Sequence, residues 1–170
     1  RTADLARDGI DVAIRTERVQ SELLVARQIG VATRSLYAAP AYLRARGRPD
    51  STDALKAHHL ISSSRVSGLN RWQRADSHEV IEVRGQTRAD NSAALLALTL
   101  AGVGISRILD VVARPFVAAG LLEPVLGTQF EQPPFPIWAV MLPERHRLPK
   151  IKACVDYWAD TLASARPAAR

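Results

Sequence analysis

Asp90-Asn91-Ser92-Ala93-Ala94-Leu95-Leu96-Ala97-Leu98-Thr99-Leu100-Ala101-Gly102-Val103-Gly104-Ile105-Ser106 reads as a capped helix, a glycine stop and the start of a buried strand. Asn91 and Ser92 are both N-cap types, since a short side-chain oxygen can accept from the free N–H groups of a first turn. Ala93 to Ala101 are strong helix formers. Gly102 can supply the left-handed residue that ends a helix, and Gly104-Ile105-Ser106 enters an apolar strand. Polar residues at a helix N-terminus beside a strand end suit an anion or small ligand. Asn91 either caps only or caps and also contacts such a ligand.

Thr2 to Arg7 predicts a helix and Gly9 to Arg15 a short strand with a polar exit at Arg15-Thr16. A loop with Glu17, Gln20, Ser21 and Glu22 follows. Leu23 to Ala38 fits one or two strands broken near Gly30. Pro40 opens a helix that Gly47 ends. Ser51 or Thr52 caps a short helix through Ala57, and His58 to Ser64 returns as a strand. Ser67-Gly68-Leu69-Asn70 is a turn signal inside a polar loop, with Trp72 as its anchor. Glu79 to Arg84 alternates as a half-exposed strand, and Gly85 to Ala89 continues towards the capped helix. Asp110 caps a helix through Ala118 that Gly120 ends. Leu121 to Leu126 is a strand, Gln132-Pro133-Pro134-Phe135-Pro136 a stiff connector, and Ile137 to Leu142 an apolar strand. Pro149 opens a last helix whose Ile151, Cys154, Val155, Trp158 and Leu162 share one face, and the tail after Ala163 frays. Strands alternating with helices predict an α/β fold with a largely parallel sheet, in roughly two units that suit two lobes with a cleft between them.

The 170 residues are 47% hydrophobic, enough for a real core. No apolar run is long enough to span a membrane. The chain opens on Arg1 inside a helical pattern, so we expect a fragment cut at its N-terminus. The lone Cys154 excludes an internal disulfide and a cysteine-rich metal site. The net charge is +6, and all but three of the 23 basic residues are arginine. A basic chain invites a nucleic-acid reading. The densest groups, Arg44/Arg46/Arg48 and Arg145/Arg147/Lys150/Lys152, lack the interleaved aromatics of a single-strand platform. Arginine does suit bidentate capture of a carboxylate.

Catalytic patterns are missing. Gly104-Ile105-Ser106-Arg107-Ile108 lacks the second glycine of a nucleophile elbow. Gly102-Val103-Gly104 follows a helix instead of opening one, the wrong order for a dinucleotide fingerprint. His58 and His59 point to opposite faces of a strand and cannot easily chelate one ion. Neither a catalytic activity nor a metal or cofactor is expected.

The residues in order resemble a known family. Asp4-Leu5, Gly9-Ile10-Asp11-Val12-Ala13-Ile14-Arg15, Leu24-Val25-Ala26-Arg27, Ala39-Pro40-Ala41-Tyr42-Leu43 and Asp53, Leu55 and His58 are similar to the effector-binding domain of LysR-type transcriptional regulators. So are Asn91-Ser92 with Ala94, Ala101 to Ile105, Ala119-Gly120-Leu121-Leu122, Pro124-Val125-Leu126, and Pro149-Lys150-Ile151-Lys152 with Val155-Asp156. The resemblance implies a type 2 periplasmic-binding-protein-like fold: two α/β lobes joined by crossing hinge strands, with a small molecule between them. It places an incomplete lobe one at 1–31 and 136–170 and lobe two at 32–135. It also implies a cytoplasmic homodimer or homotetramer with no membrane partner. DNA would be bound only through an absent N-terminal helix-turn-helix domain.

The resemblance makes strand ends and helix starts facing that cleft the ligand contacts. They are Arg15, Thr16, Thr33, Ser62, Ser63, Ser64, Asn91, Ser92, Ile105, Ser106 and Arg107. Arg15 or Arg107 would pair an effector carboxylate, with the helix dipole at Asn91 assisting. Arg15 has a plainer alternative in Glu17 or Glu22, and the serines in backbone groups. The helix 93–100 serves either a dimer or its own lobe. A solute-binding protein of a transport system is the rival on the same fold.

Overall fold

The computed structural model describes residues 4–16, 21, 23–65, 67–74, 77, 79–127, 129, 130 and 134–164. The readings on Thr2, Glu17, Gln20, Glu22, Gln132-Pro133 and the tail from 165 lie outside them. The first half holds β1 (Ala13–Arg15), β2 (Val25–Ala32), β3 (Arg34–Ala38), α1 (Pro40–Arg46), β4 (Leu60–Ser63), β5 (Arg71–Gln73) and β6 (Val80–Glu82). The second half holds β7 (Thr87–Ala89), α2 (Ser92–Leu100), β8 (Ile105–Leu109), α3 (Asp110–Ala118), β9 (Glu123–Val125), β10 (Phe135–Met141), α4 (Pro143–His146) and α5 (Pro149–Ser164). Asp53–Ala57 and Ser67–Asn70 are 3₁₀ turns. The chain divides into two compact units, Arg1–Ala32 with Pro134–Arg170, and Thr33–Pro133.

The first unit is an antiparallel sheet in the order β1-β10-β2. The break expected near Gly30 is a bulge: Ile137 pairs with Gly30 but Trp138 with Gln28, so Ile29 is the extra residue and β2 runs on to Ala32. Phe135 and Pro136, read as connector, already belong to β10. Proline is tolerated there because it sits next to the strand start. Ile151 and Val155 of α5 are buried, whereas Cys154, Trp158 and Leu162 on the same stripe are half-buried. Arg27–Asp156 and Arg145–Asp11 are exposed ion pairs of little energetic weight.

The second unit carries a five-stranded sheet in the order β7-β4-β8-β3-β9. Only β4 with β7 and β4 with β8 are parallel, and β3 is antiparallel to both β8 and β9. The expected largely parallel sheet is therefore mixed. The helices do behave as crossovers: α2 links the two neighbours of β4, and α3 links the two neighbours of β3. But β3 enters straight from β2 through the single residue Thr33, so no crossover helix sets its direction.

The alternation of each central strand feeds two cores. Tyr37, Ile61, Ala89, Ile108 and Leu122 face Leu95 of α2 and Ala113 of α3. Leu36, Ile105 and Val125 face Tyr42 and Leu43 of α1, with Leu55, Trp72, Val83 and Phe130. In α2, Ala94, Leu96, Leu98 and Leu100 also pack towards the first of these cores, and Ala93 and Ala97 stay exposed. The N-cap and stop of α2 have the form the sequence suggests. The Asn91 side chain accepts from the Ala94 N–H at 2.8 Å, and Gly102 takes φ 74°. Asp110 is not the cap of α3. Leu109 holds that position, and Asp110 lies in the first turn with its carboxylate spent elsewhere.

Candidate functional site

The carboxyl ends of the parallel strands β4 and β7 lie side by side, with Ser62 beside Arg88 and Ser63 beside Ala89. The Ser64 N–H extends that ladder to the Ala89 carbonyl at 2.8 Å. Two residues later the chain turns at Asn91 into α2. Ser64, Asn91 and Ser92, all exposed, are thereby brought to one edge of the sheet. This is where open α/β sheets bind ligands, because backbone groups and the positive end of a helix dipole converge there. Asn91 is already engaged twice: its Oδ1 caps α2, and its Nδ2 donates to the Asp90 carboxylate at 2.8 Å. One amide hydrogen and one oxygen lone pair remain for a ligand.

The other candidate residues fall elsewhere. Ser62 and Ser63 are buried; the Ser62 hydroxyl accepts from the Gly85 N–H at 3.2 Å, and the Ser63 N–H donates to the Asn70 side chain at 2.7 Å. Ile105 and Ser106 are both 0% exposed and belong to the core, so neither reaches the surface of the unit. Thr99 donates its hydroxyl proton to the Leu95 carbonyl at 2.8 Å and so accepts from Ser106 at 2.6 Å. Both polar groups are thereby satisfied inside the protein. The sequence signal was Thr99 itself, one helical turn after Leu95 and facing β8.

Thr33 donates to the Asp110 carboxylate, which also accepts from the Tyr37 hydroxyl at 2.9 Å. Burial first, and then the charge of Asp110, raise the Tyr37 pKa, so Tyr37 stays a neutral donor. This knot ties β3 to α3 and was invisible in the sequence because its partners are 73 and 77 residues apart. Arg107 is half-buried and donates to the Arg71 carbonyl at 3.0 Å. Burial, then repulsion from Arg34, pull its pKa down to about 10, leaving it cationic at neutral pH. Arg15 ends β1 and Thr16 follows it, in the first unit.

His58 and His59 address different partners. The Tyr42 hydroxyl accepts from the His59 N–H at 2.8 Å and shares a second hydrogen bond with Nδ1 of His58 at 3.1 Å. His59 Nε2 meets the Thr87 hydroxyl at 2.7 Å. Burial, and then the Arg46 charge, lower the His58 pKa from the ordinary 6.5. The unfolded chain therefore takes up a proton that the folded ring refuses. This contribution to stability is complete above about pH 6.5 and is lost as the pH falls below it. Thermal unfolding between about pH 7.5 and about pH 5.5 checks this, the acid-side fall in Tm being expected to shrink in His58→Gln. Among the described residues there is no cluster of three or more His, Cys, Asp or Glu that could hold a metal, and no helix long and apolar enough to cross a membrane.

A family model described as the LysR substrate binding domain matches residues 1–163, and the chain belongs to that family. An HTH-type transcriptional regulator of Xanthomonas campestris is 30% identical over 160 residues, covering 91% of this chain and 46% of the relative. The HTH-type transcriptional activator TtdR of Escherichia coli is 28% identical over 162 residues, 94% of this chain and 52% of TtdR. The chain thus spans about half the length of the curated relatives it matches. Among solved structures, the regulatory domain of CrgA, a LysR-type regulator from Neisseria meningitidis, superposes with a TM-score of 0.85 at 25% identity, covering 92% of this chain and 78% of that one. Full-length AphB, the Vibrio cholerae virulence activator, gives 0.72 at 27% identity, with 95% and 55% covered. The fold is accordingly periplasmic-binding-protein-like, and the transport-protein rival is not favoured.

Proposed function

We propose that this chain is the effector-sensing domain of a LysR-type transcriptional regulator. It binds a small anionic molecule and passes that event to a DNA-binding domain in a cytoplasmic dimer or tetramer, without transforming the ligand. The observation that carries the reading is the family match over residues 1–163, together with the exposed polar edge at Ser64, Asn91 and Ser92. Arg107 is the cation for an effector carboxylate. The effector acts only so far as it favours one arrangement of the protein over another by differential affinity.

The test is a thermal-shift screen of small carboxylates and aromatic acids on the 170-residue chain. A ligand present at a hundred times its Kd should stabilise by about 2.7 kcal/mol. Asn91→Ala should abolish the shift and, through the lost cap, lower stability by about 1 kcal/mol. Asn91→Ser keeps the cap and separates the two effects. A ligand shift unchanged in both variants and in Arg107→Ala overturns this placement.

A further inference from the structure

The second unit contains a cavity of about 430 Å³ lined by Ser62, Ser67, Asn70, Glu82, Arg84 and Arg88 and not by Ser64, Asn91 or Ser92. Its size is that of a small-molecule pocket. Its floor is fixed: the Ser62 hydroxyl accepts from the Gly85 N–H, and the Asn70 side chain clamps both the N–H and the carbonyl of Ser63, at 2.7 and 2.8 Å. The rim is the opposite. Arg84, Arg88 and Glu82 are exposed, and among the described residues none of their three side chains has a hydrogen bond or ion pair. Glu82 ends β6, and the exposed Glu82 and Arg84 flank the buried Val83. Arg88 comes in from β7, across from Ser62. Two guanidiniums and one carboxylate thus surround one hollow without pairing with one another.

We propose that this cavity binds a small acidic amino acid. Such a ligand carries the complementary set of charges: two carboxylates, for Arg84 and Arg88, and one ammonium, for Glu82. Arginine suits the carboxylates because its planar fork gives two parallel hydrogen bonds. The excess positive charge of the rim matches the single net negative charge of aspartate or glutamate. A plain dicarboxylate would leave Glu82 facing an anion, and a neutral amino acid would leave one arginine unmatched. The site is independent of the edge at Asn91 and does not rest on its assignment.

The experiment is a titration of the 170-residue chain with L-aspartate, L-glutamate and succinate, followed by amide NMR shifts. We expect saturable shifts for aspartate or glutamate at Asn70, Gly85 and Arg88. Arg84→Ala and Arg88→Ala should each weaken binding about tenfold or more. Glu82→Gln should weaken the amino acid by about the same factor and leave succinate no weaker. All three side chains are exposed, so these variants test binding and not folding. Three results would overturn the proposal: no saturable shifts at these amides, succinate binding as tightly as the amino acids, or shifts confined to Asn91 and Ser92. The last would place the ligand at the strand-end edge, favouring the effector reading while rejecting this one.

Discussion

Gly104→Ala is expected to destabilise the second unit by about 3 kcal/mol or more, the upper end for a single added methyl. A β-carbon at position 104 would sit 2.2 Å from the His59 carbonyl oxygen and 3.0 Å from its carbonyl carbon. Those atoms cannot step aside. The same carbonyl accepts from the Ile105 N–H at 2.9 Å, so it starts the parallel ladder between β4 and β8. Both strands are interior members of the sheet, and Ile105 is wholly buried. Relief would require parting the two strands and opening the core around Leu36 and Val125, which close packing resists. Gly68→Ala is the control, because a methyl added there would meet nothing within 4 Å; its effect should stay within about 0.5 kcal/mol. Urea unfolding followed through Trp72 fluorescence in a Trp138→Phe, Trp158→Phe background reads this unit, since those two tryptophans belong to the other. Equal midpoints for the two variants would refute the clash.

The same stretch shows what a sequence can disclose. The Asn91 cap and the Gly102 stop are local chemistry, complete within four residues, and both could be read directly. The alternation of β8 was also legible, but not the fact that both its faces are covered. Ser106 therefore reads as a polar contact and turns out to be buried against Thr99. Asp110 shows the same limit. Its position suits a cap, but Thr33 and Tyr37 arrive from a distant strand and claim the carboxylate. Ladder direction was hidden for a similar reason: it depends on which strand lies next to which, and β3 reaches its place without a helical crossover. The position of Ser64, Asn91 and Ser92 at one sheet edge was legible because helix starts and strand ends are local signals. The charged rim at Glu82, Arg84 and Arg88 was missed because each residue alone reads as a solvated strand position.

Trp72→Ala is expected to cost about 3–5 kcal/mol. Trp72 is 2% exposed, and its indole N–H donates to the Leu69 carbonyl at 3.1 Å, so its polar tip is satisfied inside the protein. Its ring meets Phe130 edge-on, with centroids 5.9 Å apart at 85°. That arrangement adds to what burial alone provides. Truncation leaves a ring-sized hole in the core shared with Leu36, Tyr42 and Leu55. The effect reaches further than the hole. Among the described residues β5 and β6 pair only with each other, and a two-stranded ribbon is marginal unless something pins it. Trp72 is the pin, and the neighbouring Arg71 carbonyl is the acceptor for Arg107. Loosening β5 therefore also weakens one hydrogen bond of the Arg107 guanidinium. Trp72→Phe keeps most of the apolar volume and loses the bond to Leu69, so it should cost less, with about 1 kcal/mol from that bond. Guanidinium unfolding followed by circular dichroism gives the two stabilities. Hydrogen exchange at the Val83 amide, which donates to the Asn70 carbonyl at 2.8 Å, reports on the ribbon itself. Faster exchange at Val83 in the alanine variant than in the phenylalanine one is the expected order. A Trp72→Ala protein within about 1 kcal/mol of the parent would mean that the ribbon and this core do not depend on the indole.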